Sequence, residues 1–275
     1  MRVLSVLLSA CRPLLSLATT LGLLAAGPAM ATTYAVEFVG NAATGVAMNE
    51  AGDVVGYAYA ADTCGPWCLP DYETVAWVGG VRSVLPDSSS TGAHYVTGIN
   101  ADGWVSGYAN YDYPRALVWK PGTSGYEVIE LGALPGQTYA DTVGIDDAGR
   151  VLGWSTTGGA IPTASGPYLW TEADGMQNLA DLGFPSQEAW SLSSGGMVAT
   201  QNYWYSLDDA TLLHTLTAPP RGYVDYGYGT VINNAGEQAR FLITTSSSSS
   251  YVYAHRYHTD GTWASLGASG SYYYS

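Results

Sequence analysis

Apolar and polar positions alternate along this chain in short runs broken by compact polar knots. The plainest knot lies between Gly98 and Gly107, GINADGWVSG, and its ten-position frame returns as GIDDAGRVLG from Gly144 and AMNEAGDVVG from Ala47. Looser copies are SLSSGGMVAT from Ser191 and VINNAGEQAR from Val231. All five carry glycine at the sixth position, Gly52, Gly103, Gly149, Gly196 and Gly236, at steps of 51, 46, 47 and 40 residues. That spacing is the mark of a repeat architecture.

The third position of the frame is Asn49, Asn100, Asp146, Ser193 or Asn233. These short polar residues favour the first corner of a type I turn, because the side chain can accept from backbone amides further on. Three residues later a glycine can take the positive φ that a G1 bulge demands. The frame therefore predicts a hairpin, made five times. Met48, Ile99, Ile145, Leu192 and Ile232 precede the turn; Val54, Val105, Val151 and Val198 follow it, with Gln238 breaking the pattern. Gly56, Gly107 and Gly153 fall on the same strand face as the valines, where a missing side chain is expected to admit a neighbouring sheet closely.

Each hairpin leads into an aromatic-tipped strand: Val75 to Val78, Ala116 to Trp119, Pro167 to Trp170, Tyr203 to Tyr205 and Ala254 to Tyr257. A fourth strand is plainest in Tyr126 to Gly132. Four short antiparallel strands per repeat make the blade of a β-propeller. The expected fold is all-β, a propeller of about five four-stranded blades, with repeats at roughly 43–90, 91–137, 138–183, 184–222 and 223–270. Trp77, Trp119 and Trp170 recur at matched strand positions and are expected to pack between blades. No segment has the length and spacing of a helix; Met176 to Leu182 is apolar enough but short and runs into glycine. Tyr34 to Val39 reads as a fourth strand ahead of the first hairpin, and in a closed ring it would join the last blade beside Thr262 to Gly267. Ser271 to Ser275 is compatible with a strand or a tail.

On these residues the sequence resembles the bacterial extracellular repeats of the HAF family. Their unit runs roughly as an A-x-G-I-N-x-x-G-x-V-V-G-x-S hairpin, an aromatic strand, then a Gly-x-Met-x-Asp-Leu-Gly segment. Gly175-Met176 with Asp181-Leu182-Gly183, and Glu130 to Gly136, match the last part. The second and third repeats carry the likeness most closely, and no literal His-Ala-Phe occurs. The resemblance implies export and a repeat architecture, and brings no catalytic residues with it.

The chain begins with Arg2 and Arg12, the apolar stretch Leu14 to Ala26 and Pro28-Ala29-Met30-Ala31. This is the plan of a secretory leader, so the expected division is a signal peptide at 1–31 and one repeat domain at 32–275, secreted or periplasmic. Leu8-Ser9-Ala10-Cys11 offers a rival reading as a lipoprotein processing site. The leader is too interrupted to serve as a transmembrane anchor, and none is expected in the mature chain. With 23 acidic against nine basic residues, and Lys120 the only lysine, the surface repels phosphate backbones. Nucleic acid is excluded as a natural partner. In an oxidising compartment Cys64 and Cys68, bent together by Gly65-Pro66, are expected to form a local disulfide.

Chemistry is sparse. No nucleotide loop and no G-x-S-x-G elbow occurs. His255 and His258 stand three apart, on opposite strand faces, and read as surface polar residues rather than shared metal ligands; His94 and His214 are isolated in sequence. No metal or cofactor is called for. Glu50, Asp102, Asp146 and Asp147 are expected on one rim, as turn formers rather than as a calcium cage or an acid/base pair. The less regular aromatics Trp67, Tyr111, Tyr113, Tyr223, Tyr226 and Tyr228 are candidate ligand contacts. The leading expectation is a non-enzymatic binding module for an extracellular glycan or protein. The alternative is a glycosidase or lyase with three carboxylates from different blades converging in the axial pocket, one with a raised pKa; a self-assembling structural module is the third.

Overall fold

The computed structural model describes residues 2–7, 35–41, 43–59, 72–88, 93–109, 113–158, 165–225, 230–245 and 250–272. These residues are all-β: among them no helix occurs, and the chain forms a five-bladed propeller. β1 (Arg2–Leu7) pairs with β2 (Ala35–Asn41). Blade 1 is β3 (Ala43–Met48), β4 (Val54–Tyr59), β5 (Tyr72–Val78) and β6 (Val81–Val84). Blade 2 is β7 (His94–Ile99), β8 (Val105–Ala109), β9 (Arg115–Gly122) and β10 (Gly125–Gly132). Blade 3 is β11 (Tyr139–Ile145), β12 (Val151–Thr156), β13 (Ser165–Thr171) and β14 (Gly175–Asn178). Blade 4 is β15 (Ala189–Leu192), β16 (Met197–Thr200), β17 (Tyr203–Ser206) and β18 (Asp209–Thr215). In blade 5 the inner strand is split into β19 (Val224–Asp225) and β20 (Val231–Ile232), followed by β21 (Gln238–Thr245), β22 (Ser250–Tyr257) and β23 (Trp263–Tyr272).

The five hairpin turns form as the frame predicts. Gly52, Gly103, Gly149, Gly196 and Gly236 all have φ between 75° and 87°, and each donates its amide to the carbonyl of the residue three before it at 3.0–3.1 Å. The polar corner side chain then caps the turn: Asn49, Asn100, Asp146 and Asn233 each accept the amide four residues on at 2.9 Å, and Ser193 does so at 3.0 Å.

Turns of successive blades are also tied to one another. Asn49 donates its side-chain amide to the Asn100 carbonyl, Asn100 donates to that of Asp146, the Asp147 amide donates to the Ser194 carbonyl, and the Gly195 amide donates to Asn234 Oδ1. A hydrogen-bonded belt thus runs from blade 1 to blade 5.

Because the middle strands have a blade on either side, both of their faces are apolar. Ala116, Leu117, Val118 and Trp119 are all buried. Leu117 and Trp119 pack toward blade 1 with Val55 and Ala76, while Ala116 and Val118 pack toward blade 3 with Ile145 and Val151. Trp170 fills the seam between blades 2 and 3, Tyr205 that between blades 3 and 4, and Tyr257 that between blades 4 and 5. Trp119 and Trp170 are thus inter-blade wedges, as expected, whereas Trp77 packs within blade 1 against Ala43, Val54, Ala58 and Val75.

Two expectations are corrected. β2 does lie where Tyr34 to Val39 was expected to form a strand, but its partner is β1; the outer place in blade 5 belongs to β23. Gly56, Gly107 and Gly153 do not make room for a neighbouring sheet. A side chain there would strike the inner strand of its own blade, at the carbonyls of Thr44, Tyr95 and Asp141. The inner strand carries a register shift at each of these places, and its backbone bows over the glycine.

Candidate active site

The inner strands of all five blades end around an axial cavity of about 770 Å³ on the turn side. Met48, Val143, Trp190 and Val231 give its wall apolar surface, Thr97, Ser191 and Thr230 add hydroxyls, and Glu50 stands at the rim. The rim carboxylates act on the turns. Asp146 is buried, and burial pushes its carboxyl up, opposed by the Arg150 amide, the Arg150 guanidinium and the Ala148 amide. Arg150 in turn reaches Asp208 of blade 4 at 2.7 Å, and Asp147 accepts the Ala101 amide of blade 2 at 2.8 Å. Asp146 is thus the turn former expected, while Asp147 ties its turn to blade 2.

Among the described residues Glu50 is the one carboxylate in the cavity lining, so three acids do not converge there as expected; outside that lining, two acids come from neighbouring blades. Thr142 turns toward blade 2, where its hydroxyl lies 2.7 Å from that of Thr97. Asp141, one residue earlier, faces the other way, toward blade 4. There Glu188, exposed just ahead of β15, presents its charge. Asp141 is half-buried; its Oδ1 accepts the Trp154 amide at 3.2 Å, and its carbonyl accepts the Tyr168 hydroxyl at 2.7 Å. Burial, opposed by the Trp154 amide and reinforced by the Glu188 charge, pushes the Asp141 carboxyl up to about 6. A carboxyl raised toward neutral pH within the field of a second acid is one arrangement by which acid and base roles are divided between two like groups. Val143 and Trp190, on the same two inner strands, line the cavity.

Blade 5 contributes a buried cation. Arg240 is fully enclosed, with Nε 2.8 Å from Asp225 Oδ2 in a charge contact, and its guanidinium donates to the carbonyls of Thr200 and Gln201 in blade 4. It lies 5.7 Å from the Trp190 ring centroid. The guanidinium's bonds to Thr200 and Gln201 clamp blade 5 to blade 4.

Of the residues singled out as ligand contacts, Tyr113 and Tyr223 are described, next to β9 of blade 2 and β19 of blade 5. Trp67, Tyr111, Tyr226 and Tyr228, together with Cys64 and Cys68, lie outside the described residues. Tyr113 is exposed against Tyr139, at 5.3 Å between ring centroids, whereas Tyr223 packs edge-on to Tyr253 and His255 in blade 5. His255 is buried among those rings rather than on the surface; His258 stands 3.2 Å from Glu237, and His214 stacks on Trp204. No helix among the described residues is long and apolar enough to cross a membrane.

No protein-family model and no curated protein matches the sequence. Among solved structures, a gluconolactonase of Xanthomonas campestris matches over 82% of this chain and 77% of its own, at 13% identity and a TM-score of 0.44. This corrects the non-enzymatic expectation: the matching protein is an enzyme by its description, and that reading is not carried forward. At so low a likeness the match lends this chain no residue and no substrate. The case for chemistry rests on the acids above.

Proposed function

We propose that this chain is an exported carbohydrate-active enzyme of the glycosidase or lyase class, with Asp141 as proton donor and Glu188 as the carboxylate that accepts a proton. The observation that carries the reading is the position of Asp141. It sits on an axis-lining strand, half-buried, with its carboxyl raised to about 6 beside an acid from the next blade. A general acid must be protonated at the working pH yet acidic enough to release its proton, and a group near 6 meets both conditions. The neighbouring cavity, at about 770 Å³, falls within the usual size for small-ligand sites of about 300–1,000 Å³. Trp190 and the hydroxyls of Thr97 and Ser191 in its wall suit a sugar ring, which offers an apolar face and a hydroxylated edge. The leader at 1–31 and the resemblance to exported HAF repeats support an extracellular setting.

The test is a panel of bacterial and plant polysaccharides incubated with the purified protein. New reducing ends score hydrolysis, and the absorbance of an unsaturated uronate scores elimination. Activity on a panel member should fall by about 10²–10⁴-fold in Asp141→Asn and in Glu188→Gln, the usual contribution of a positioned acid or base. Activity that survives both substitutions at the wild-type level would remove the pair from the chemistry.

A further inference from the structure

A second cleft, of about 760 Å³, opens between blades 1 and 2. The segment Leu85-Pro86-Asp87-Ser88 leaves β6 here and β7 begins at His94, so these residues meet across the seam. Three contacts hold the segment. Leu85 is buried in the core between the blades, its amide donates to the Thr74 carbonyl at 2.9 Å, and the Trp119 indole donates to the Pro86 carbonyl at 2.8 Å. The His94 ring is nearly enclosed and stands edge-on to Trp119 at 6.0 Å. Its Nε2 lies 3.2 Å from the Ser88 amide and 3.1 Å from Ser88 Oγ, while Nδ1 lies 3.4 Å from Asp87 Oδ1.

The tautomer follows from the donors. A backbone N–H can only donate, so Nε2 carries the lone pair, and the ring proton sits on Nδ1, facing the carboxylate. Hydroxyl, imidazole and carboxylate therefore stand in the order that activates a nucleophile, with the base aimed at the hydroxyl and a carboxylate on the far nitrogen. Tyr57, on the cleft wall, accepts the Val96 amide at its hydroxyl oxygen at 3.1 Å, and its own O–H hydrogen remains to donate toward a bound carbonyl oxygen. Tyr95 and Tyr72 give the cleft an aromatic lining suited to a compact acyl or aryl group.

We infer that this cleft is a second, nucleophilic site, in which Ser88 cleaves carboxylic esters with His94 as its base and Asp87 as the residue that positions His94. Ser88 Oγ bonds to the ester carbonyl carbon while its proton passes to His94 Nε2. The C–O bond to the alcohol then breaks, and the departing alkoxide takes that proton. Water repeats the sequence on the acyl-Ser88 ester, giving up a proton to Nε2, releasing the acid and returning the proton to Ser88. The net reaction is ester plus water to acid plus alcohol. The site shares no residue with the Asp141–Glu188 pair and stands or falls apart from it.

The test uses the full chain with p-nitrophenyl acetate as substrate and a fluorophosphonate as covalent probe, the labelled peptide being identified by mass spectrometry. The probe should attach to Ser88. Ser88→Ala should abolish labelling and lower ester hydrolysis at least about 100-fold, the lower bound for a positioned base and nucleophile. Asp87→Asn should lower kcat with KM unmoved, and Asp87→Glu should restore part of the loss. Because Ser88 is only half-buried, next to the cleft-lining Asp87 and His94, Ser88→Ala should keep the wild-type near-ultraviolet circular dichroism, so a loss of rate cannot be ascribed to unfolding. Labelling elsewhere, or a Ser88→Ala protein that hydrolyses the ester at the wild-type rate, overturns the inference.

Discussion

The side-chain amide of Asn100 donates to the backbone carbonyl of Asp146, 46 residues away in the next blade, at 3.1 Å. The same side chain caps its own turn, accepting the amides of Asp102 and Trp104, and is almost wholly buried. Asn100→Ala removes the cap and the tie to blade 3, leaving the half-buried Trp104 amide without its acceptor and the Asp146 carbonyl with the Gly149 amide alone; an unsatisfied group of this kind costs about 1–3 kcal/mol. Urea unfolding should show a loss of about 2–4 kcal/mol for Asn100→Ala. Asn233, the exposed counterpart in blade 5, should lose only about 1 kcal/mol on the same change, the value of an ordinary cap.

Gly153 offers a second contrast. A Cβ there would meet the Asp141 carbonyl and the Tyr168 hydroxyl that donates to it. Neither has room to yield, because Tyr168 is fully buried. Gly153→Ala should lower stability by about 2–3 kcal/mol, in the range for overpacking a rigid site. Gly183 has φ +86° and open space around its missing Cβ; Gly183→Ala should lower it by only about 1–2 kcal/mol, the left-handed backbone penalty alone. Thermal melts of the two variants check the order.

The raised Asp141 carboxyl makes stability depend on pH in a definite direction. Between the ordinary 3.8 and about 6 the native state holds this proton more tightly than the unfolded chain. The stabilisation is therefore complete at low pH and is lost as pH rises through about 6. Asp141→Asn keeps an oxygen for the Trp154 amide and cannot ionise, so it should melt above wild type at pH 8 and close to it at pH 4. Melting curves at the two pH values decide the sign.

The Arg240 contact predicts a large single-site effect. Asp225→Ala leaves an enclosed guanidinium without its counter-charge, and such a break costs about 3–5 kcal/mol. Salt should do little to change the loss, since buried pairs are weakly screened. Denaturant titrations at low and high ionic strength provide the check.

Much of this architecture could be read from residue types because it is local. Asn100 and Gly103 lie within one turn, and Ala116 to Trp119 declare a strand buried on both faces. The two carboxylates were harder to see, since Asp141 and Glu188 belong to different repeats and feel each other's charge only when blades stack. A signal did exist: each stands eight residues before its turn glycine, Gly149 or Gly196, where blades 1 and 2 have Thr44 and Tyr95. Aligning the repeats on that glycine would have put polar side chains at one level of the inner strands. The interest of His94 was hidden for a different reason. Its partners Asp87 and Ser88 belong to the preceding repeat, and only the loop anchored by Leu85 and Trp119 carries them to the ring.

The titration of the Asp141 carboxyl, followed by its carbon-13 shift in the folded protein, tests the account most directly. The midpoint should fall near 6 in the wild type and move down in Glu188→Gln, because a neighbouring negative charge has gone. A midpoint at the ordinary carboxylate value, unmoved by that substitution, would contradict the acid pair on which the proposed function stands.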